Sequence, residues 1–248
     1  MRLLAMFSFL AAIWCSIWVV SPQPAPTMNF TLLHPDLAAT AEALLADTAG
    51  IESERKVELR ALGSWVAEAV VEGRSAELIF ICTHNSRRSH LAQVWAQVGA
   101  DAAGLKGVST FSGGTEATAC NPRTVAAMQR AGFEVAEVDR ENGPTNPTYA
   151  VSAGPSWPEM RCFSKKYGHL SNPQEGFAAV MTCSSADKGC PIVEGSGARF
   201  SVPYVDPKVS DGKPEEAATY DARLRQIGTE MLFVMGYAAR LVDASRPR

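Results

Sequence analysis

The sequence predicts an α/β fold: a parallel sheet with helices on both faces, preceded by a helical extension. Residues 78–81 and 177–182 are continuous apolar runs of the kind buried on both faces of a parallel sheet. Segments with apolar residues at helical spacing alternate with such runs. The 248 residues suffice for one domain with a full core plus attached segments. A net charge of −3 gives no reason to expect nucleic-acid binding, so any anion must be held by a local site. The six cysteines are too sparse for a disulfide scaffold and lack the C-x-x-C pairing of a zinc site. No metal and no bound cofactor is expected.

Residues 1–20 are almost wholly apolar after Arg2 and run into a proline-rich stretch. They read as a signal or membrane anchor, or else translation begins at Met28 and residues 1–27 are a misplaced start. Residues 28–76 are a helical extension. Leu37, Ala41, Leu44 and Leu45 share one helical face, as do Val57, Leu59, Leu62, Trp65, Val66 and Val70. No chemistry is expected there. Residues 77–242 form the main domain. A strand at 78–81 leads into a loop and then a helix over 89–98, with Leu91, Val94, Trp95 and Val98 on one face. A strand at 108–111 leads through a turn at 112–115 to a helix over 123–130, with Pro122 at its start and Gly132 past its end. Residues 139–175, rich in Pro, Gly, Asn and Ser, read as a long irregular insertion beside the site. Strands at 177–182 and, more weakly, at 200–205 precede a C-terminal helix over 214–242.

The chemistry sits in Cys82-Thr83-His84-Asn85-Ser86-Arg87-Arg88-Ser89. A cysteine opens a loop after a buried strand, an arginine follows five residues later, and a helix begins at the far end. Backbone N–H groups of such a loop can turn inward, and the helix N-terminus adds positive potential. Arg88 offers a bidentate fork to an oxyanion. The same field favours a Cys82 thiolate, the nucleophilic form. Ser89 can hydrogen-bond that thiolate, and Asn85 can hold the loop in shape. Arg87 is expected to be solvated.

Residues 79–89 resemble the active-site loop of low-molecular-weight protein tyrosine phosphatases and the arsenate reductases related to them. Ser112-Gly113-Gly114-Thr115-Glu116 and Asn121-Pro122-Arg123 onward are similar to that family's second strand, turn and helix, and Asp206-Pro207 to its late acid motif. The resemblance covers roughly residues 77–240 and implies a four-stranded parallel sheet flanked by helices. It implies Cys82 as nucleophile, Arg88 with Thr83, His84, Asn85, Ser86, Arg87 and Ser89 as the oxyanion cradle, and Asp206 as general acid, with Asp211 its nearby competitor. His84 stands where the family often has glycine, so a side chain there bears on loop shape and access.

Cys183 follows a buried strand, and Cys190 closes a short, small-residue loop after it. Two thiols in a mobile loop near a nucleophilic cysteine can relay an oxidation by disulfide exchange. The segment from Thr182 to Pro191 is similar to the redox loop of thioredoxin-coupled arsenate reductases. That resemblance implies a relay from Cys82 to Cys183 to Cys190, with thioredoxin or another thiol donor as reductant. Lys208-Val209-Ser210 follows Asp206-Pro207 where phosphatases of the family commonly carry ring-holding aromatics, which favours a small inorganic oxyanion. The alternatives are a phosphatase acting on phosphate esters, with aromatic contacts from Tyr149, Trp157, Phe163 or Tyr167, and a noncatalytic oxyanion- or partner-binding module. Cys120 and Cys162 are expected to be structural or surface thiols. A relay needing repeated reduction implies the cytoplasm; a genuine export signal or anchor at 1–27 would place the protein outside it or at a membrane.

Overall fold

The computed structural model describes residues 28–189 and 192–246. What the sequence leads one to expect of residues 1–27 and of Cys190 therefore lies outside the described residues. In chain order the elements are α1 (Pro35–Asp47), α2 (Ser53–Val71), β1 (Ala76–Cys82), α3 (Arg88–Ala102), β2 (Val108–Gly114), α4 (Pro122–Arg130), β3 (Glu134–Asp139), β4 (Thr148–Ser152), β5 (Met160–Cys162), β6 (Phe177–Met181), α5 (Ser184–Gly189), β7 (Ser196–Ser201) and α6 (Glu216–Ser245). Short 3₁₀ turns lie at Thr48–Gly50 and Pro207–Ser210.

Four strands form a parallel sheet in the order β2-β1-β6-β7, as the sequence implied. Along β1, Leu78 and Phe80 enter one buried cluster while Ile79 and Ile81 enter the other. This period of two is why the run is apolar without a break. The two faces are unequal. Leu78 and Phe80 face a large core shared with α1, α2, α3 and α6. Ile79 and Ile81 face a smaller one built from Phe177, Ala179, Met181, Ala186 of α5 and Val193.

The two N-terminal helices belong to the larger core. Leu37, Ala41, Leu44, Leu59, Leu62 and Val66 are all fully buried in it. α2 lies so close to α6 that a Cβ on Gly63 would meet the Val234 carbonyl at 2.9 Å. A buried ion pair joins them: Arg55 donates through Nε and Nη2 to Glu230 at 3.0 and 2.7 Å. Truncating Glu230→Ala removes the charge partner of that guanidinium on α6 and leaves it Glu58, the Pro203 carbonyl and partial solvent. We expect a loss of about 2 kcal/mol, checked by urea unfolding.

Three expectations need correction. The strand expected at 200–205 is Ser196–Ser201. Residues 202 and 204 still donate to Met181 and Thr182, so the apolar alternation of Phe200, Val202 and Tyr204 outlasts the ladder itself. The turn expected at 112–115 begins later, because Ser112–Gly114 finish β2 and Gly114 pairs with Cys82. The insertion at 139–175 is not wholly irregular: β4 and β5 join β3 in a three-stranded antiparallel sheet. β3 is mostly exposed and β5 has only three residues, so neither carries a strong apolar period.

Candidate active site

Cys82 is the last residue of β1, and α3 begins at Arg88, so the segment between them curls across the C-terminal end of the sheet. Cys82 is buried, and its Sγ lies 3.2 Å from Ser89 Oγ. Asn85 adopts a left-handed backbone, φ +44°. The turn costs a non-glycine residue strain, and the asparagine side chain offsets it on both sides. Its Nδ2 donates to Ser89 Oγ at 2.9 Å, and its Oδ1 accepts from the Lys165 N–H at 2.9 Å. Gly114 completes the fit, since a Cβ there would meet Thr83 O and Asn85 N at 2.8 Å.

The insertion buttresses this loop. The Lys165 carbonyl accepts from Gly114 N–H at 2.8 Å, and Ser164 Oγ donates to His84 O at 2.8 Å. Asn146 clamps Ser164 through both its amide atoms, at 2.8 and 3.0 Å. Phe163 and Tyr167 line an adjoining cavity of about 1000 Å³, together with Thr115, Lys165 and His169. Tyr149 and Trp157 pack on the main core instead. His84 sits half-exposed with Nε2 3.5 Å from the Glu116 carboxylate.

Arg88 and Asp206 are brought together from opposite ends of the domain. Arg88 donates through Nη2 to Asp206 Oδ2 at 2.6 Å and through Nη1 to Tyr204 O at 2.9 Å. Its Nε is buried and has no protein acceptor among the described residues. Asp206 also caps the following 3₁₀ turn through the Lys208 N–H. Arg87, expected to be solvated, is instead almost buried. It donates to Tyr220 Oη at 2.7 Å and to Asp211 at 3.2 Å, and Tyr220 Oη donates to Asp211 at 2.8 Å. Asp211, the competitor for the acid role, is thus tied up with Arg87 and Tyr220, whereas Asp206 faces Arg88. Burial and the hydrogen bond to Asp211 push the Tyr220 hydroxyl up to about 12.

Cys183 is buried in the same small cluster as Cys82. Its Sγ lies 3.5 Å from Thr83 Oγ1, the side chain next to Cys82, and accepts from the Ala186 N–H at 3.3 Å. The loop expected between Cys183 and Cys190 is corrected: residues 184–189 are the helix α5. Cys120 and Cys162 are also buried, and burial pushes the Cys162 thiol up to about 11 and the Cys120 thiol well above its ordinary range. Both stay protonated at neutral pH, as suits structural thiols.

His90 escaped the sequence reading. It is fully buried beneath the loop, with Nε2 2.9 Å from Asn85 O and Nδ1 3.1 Å from Ser112 Oγ. Burial, with the Lys165 ammonium nearby, lowers its pKa to about 3 from 6.5. The unfolded chain therefore binds a proton below pH 6.5 that the folded chain refuses down to about pH 3. The stability this neutral imidazole contributes is present above pH 6.5 and is lost as pH falls toward 3. Urea midpoints between pH 4 and 6 should fall less steeply in His90→Gln than in the wild type, by one proton.

The family model for low molecular weight phosphotyrosine protein phosphatase matches residues 77–144. Arsenate reductase 2 and an arsenate reductase from two strains of Staphylococcus epidermidis are each 30% identical over 139 residues, 55% of this chain and 80% of the relative. Among solved structures, a low molecular weight protein tyrosine phosphatase from T. tengcongensis has a TM-score of 0.41 at 14% identity, covering 63% of this chain and 95% of its own. A thioredoxin-dependent arsenate reductase from Corynebacterium glutamicum has a TM-score of 0.34 at 18% identity, covering 81% of this chain and 99% of its own.

Proposed function

Because the chain belongs to the family of low-molecular-weight phosphotyrosine protein phosphatases and arsenate reductases, a family of enzymes, we propose that it is an arsenate reductase using a relay of three thiols. One observation carries the reading: a second buried thiol, Cys183, stands 3.5 Å from Thr83 Oγ1, beside the nucleophile. Hydrolysis of a phosphate ester has no use for a second thiol; reduction of arsenic does. The curated relatives named as arsenate reductases lend it support.

In the proposed cycle the oxyanion enters the loop and takes the free Nε of Arg88 and the inward backbone N–H groups of residues 83–89. Cys82 thiolate attacks arsenic, and Asp206 gives its proton to the leaving oxygen, which departs as water. Cys183 thiolate then attacks the Cys82 sulfur. A disulfide forms, the S–As bond breaks, and its electron pair reduces As(V) to As(III), released as arsenite. Cys190 attacks Cys183, which frees the Cys82 thiolate and leaves a Cys183–Cys190 disulfide for a dithiol donor of the thioredoxin type to reduce. Solvent reprotonates Asp206. In the resting protein Asp206 occupies Arg88, so substrate must share or displace that carboxylate.

Such a cycle needs a reducing compartment, and we assign the protein to the cytoplasm. Among the described residues no helix is long and apolar enough to cross a membrane. A phosphatase is the second reading, favoured by Phe163 and Tyr167 lining the cavity beside the loop.

The test is steady-state arsenate reduction coupled to thioredoxin, thioredoxin reductase and NADPH, run beside hydrolysis of an aryl phosphate. Arsenate-dependent NADPH oxidation supports the relay. Aryl phosphatase activity alone assigns the second reading, and silence in both leaves a binding module. Asp206→Ala should slow the chemical step about 10²-fold, and a lower kcat with little change in KM in the same assay would check it.

A further inference from the structure

We propose that Asp187, Arg199 and Ser201 form a latch that holds α5 on β7 and so controls when Cys183 becomes free for disulfide exchange. The inference rests on the relay reading above and adds to it the residues that regulate its second step.

A helix of six residues has almost no stability of its own. α5 buries a single side chain, that of Ala186. Its neighbours hold it by polar contacts, and these converge on one residue. Asp187 Oδ1 accepts from Arg199 Nη2 at 2.6 Å, Asp187 O accepts from the same nitrogen at 2.7 Å, and Asp187 Oδ2 accepts from Ser201 Oγ at 2.9 Å. Arg199 and Ser201 lie on β7, the edge strand next to β6. One carboxylate thus ties the helix to the sheet through both its oxygens, while its own backbone oxygen takes a third bond.

The same helix fixes Cys183. The Cys183 thiol accepts from the Ala186 N–H at 3.3 Å, and the Cys183 carbonyl accepts from the Asp187 N–H at 3.0 Å. Cys183 is only 1% exposed. Cys183 therefore stays buried and bonded for as long as α5 keeps its place. Letting α5 go requires breaking the Asp187 bonds, which are charge-assisted and only partly shielded from solvent. Asp187 is a positioning residue and touches no substrate.

The test is the rate at which iodoacetamide alkylates each cysteine in the reduced full-length protein, read by peptide mass spectrometry. Asp187→Asn and Arg199→Ala should each speed alkylation of Cys183 about tenfold and leave Cys82, Cys120 and Cys162 unchanged. Arg199→Lys keeps an ion pair and should restore the slow rate. A Cys183 rate indifferent to Asp187 and Arg199 overturns the latch, and so does a gain shared equally by the buried Cys120 and Cys162. The labelling needs neither arsenate nor reductant. Absence of arsenate turnover in the wild type sinks the relay, and a labelling rate blind to Asp187 sinks the latch in an enzyme that turns over.

Discussion

Serine in place of Cys82 should abolish arsenate and aryl-phosphate turnover together, by on the order of 10⁵-fold, as expected when an essential nucleophile is removed. A hydroxyl is not ionised at neutral pH, and the loop that favours a thiolate cannot lower an alcohol far enough to compensate. The substitution is nearly isosteric and can keep the contact with Ser89 Oγ, so the fold should stay intact. Arg88 and the loop N–H groups also remain, so inorganic phosphate should still protect the variant against thermal unfolding. Retained phosphate protection with no turnover is the signature of a lost nucleophile. Residual turnover at even a hundredth of the wild-type rate would mean that another group attacks.

Cys183→Ser should divide the two activities. Arsenate reduction needs two electrons, and Cys82 alone can supply a bond to arsenic but not the partner sulfur that takes its place. Multiple-turnover reduction should therefore fall below about 1% of wild type, a loss comparable to removing a group the transition state requires. Aryl-phosphate hydrolysis uses water in the second step and should stay within about threefold. The measured ratio of the two rates in wild type and variant decides the matter. If arsenate reduction persists in Cys183→Ser, the thiol beside Thr83 is a bystander and another thiol takes the place of arsenic on Cys82.

These expectations draw on features of very different legibility. The strand at β1 could be read from its own seven residues, because burial on both faces demands an unbroken apolar run. The loop could be read because all its chemistry, from Cys82 to Ser89, is contiguous, and because a helix start within it is a local property. α4 announced itself through Asn121, whose side chain caps the helix by accepting from the Arg123 N–H, and through Pro122 in the first turn. The N-terminal helices were legible as helices, but not as part of the main core, since their apolar faces say nothing of what they meet.

What remained hidden was made by residues far apart in the chain. Asn85 finds its acceptor role 80 residues on, at the Lys165 N–H, and Arg87 finds Tyr220 at a separation of 133 residues. No periodicity or motif encodes such pairs, so the insertion looked irregular and Arg87 looked solvated. α5 was hidden for another reason: Ser184-Ser185-Ala186-Asp187-Lys188-Gly189 has a loop's composition, and the segment is helical because the Cys183 thiol just before it accepts from the Ala186 N–H and Asp187 finds Arg199 on β7. By itself, then, the sequence determined the parallel sheet, the loop from Cys82 to Ser89 and the identity of the groups that can do chemistry, all of which depend on local pattern. Only the tertiary structure decided which aspartate meets Arg88, what buttresses the loop and how Cys183 is held, because hydrogen bonds and ion pairs between distant segments exist only once the apolar core has brought those segments together.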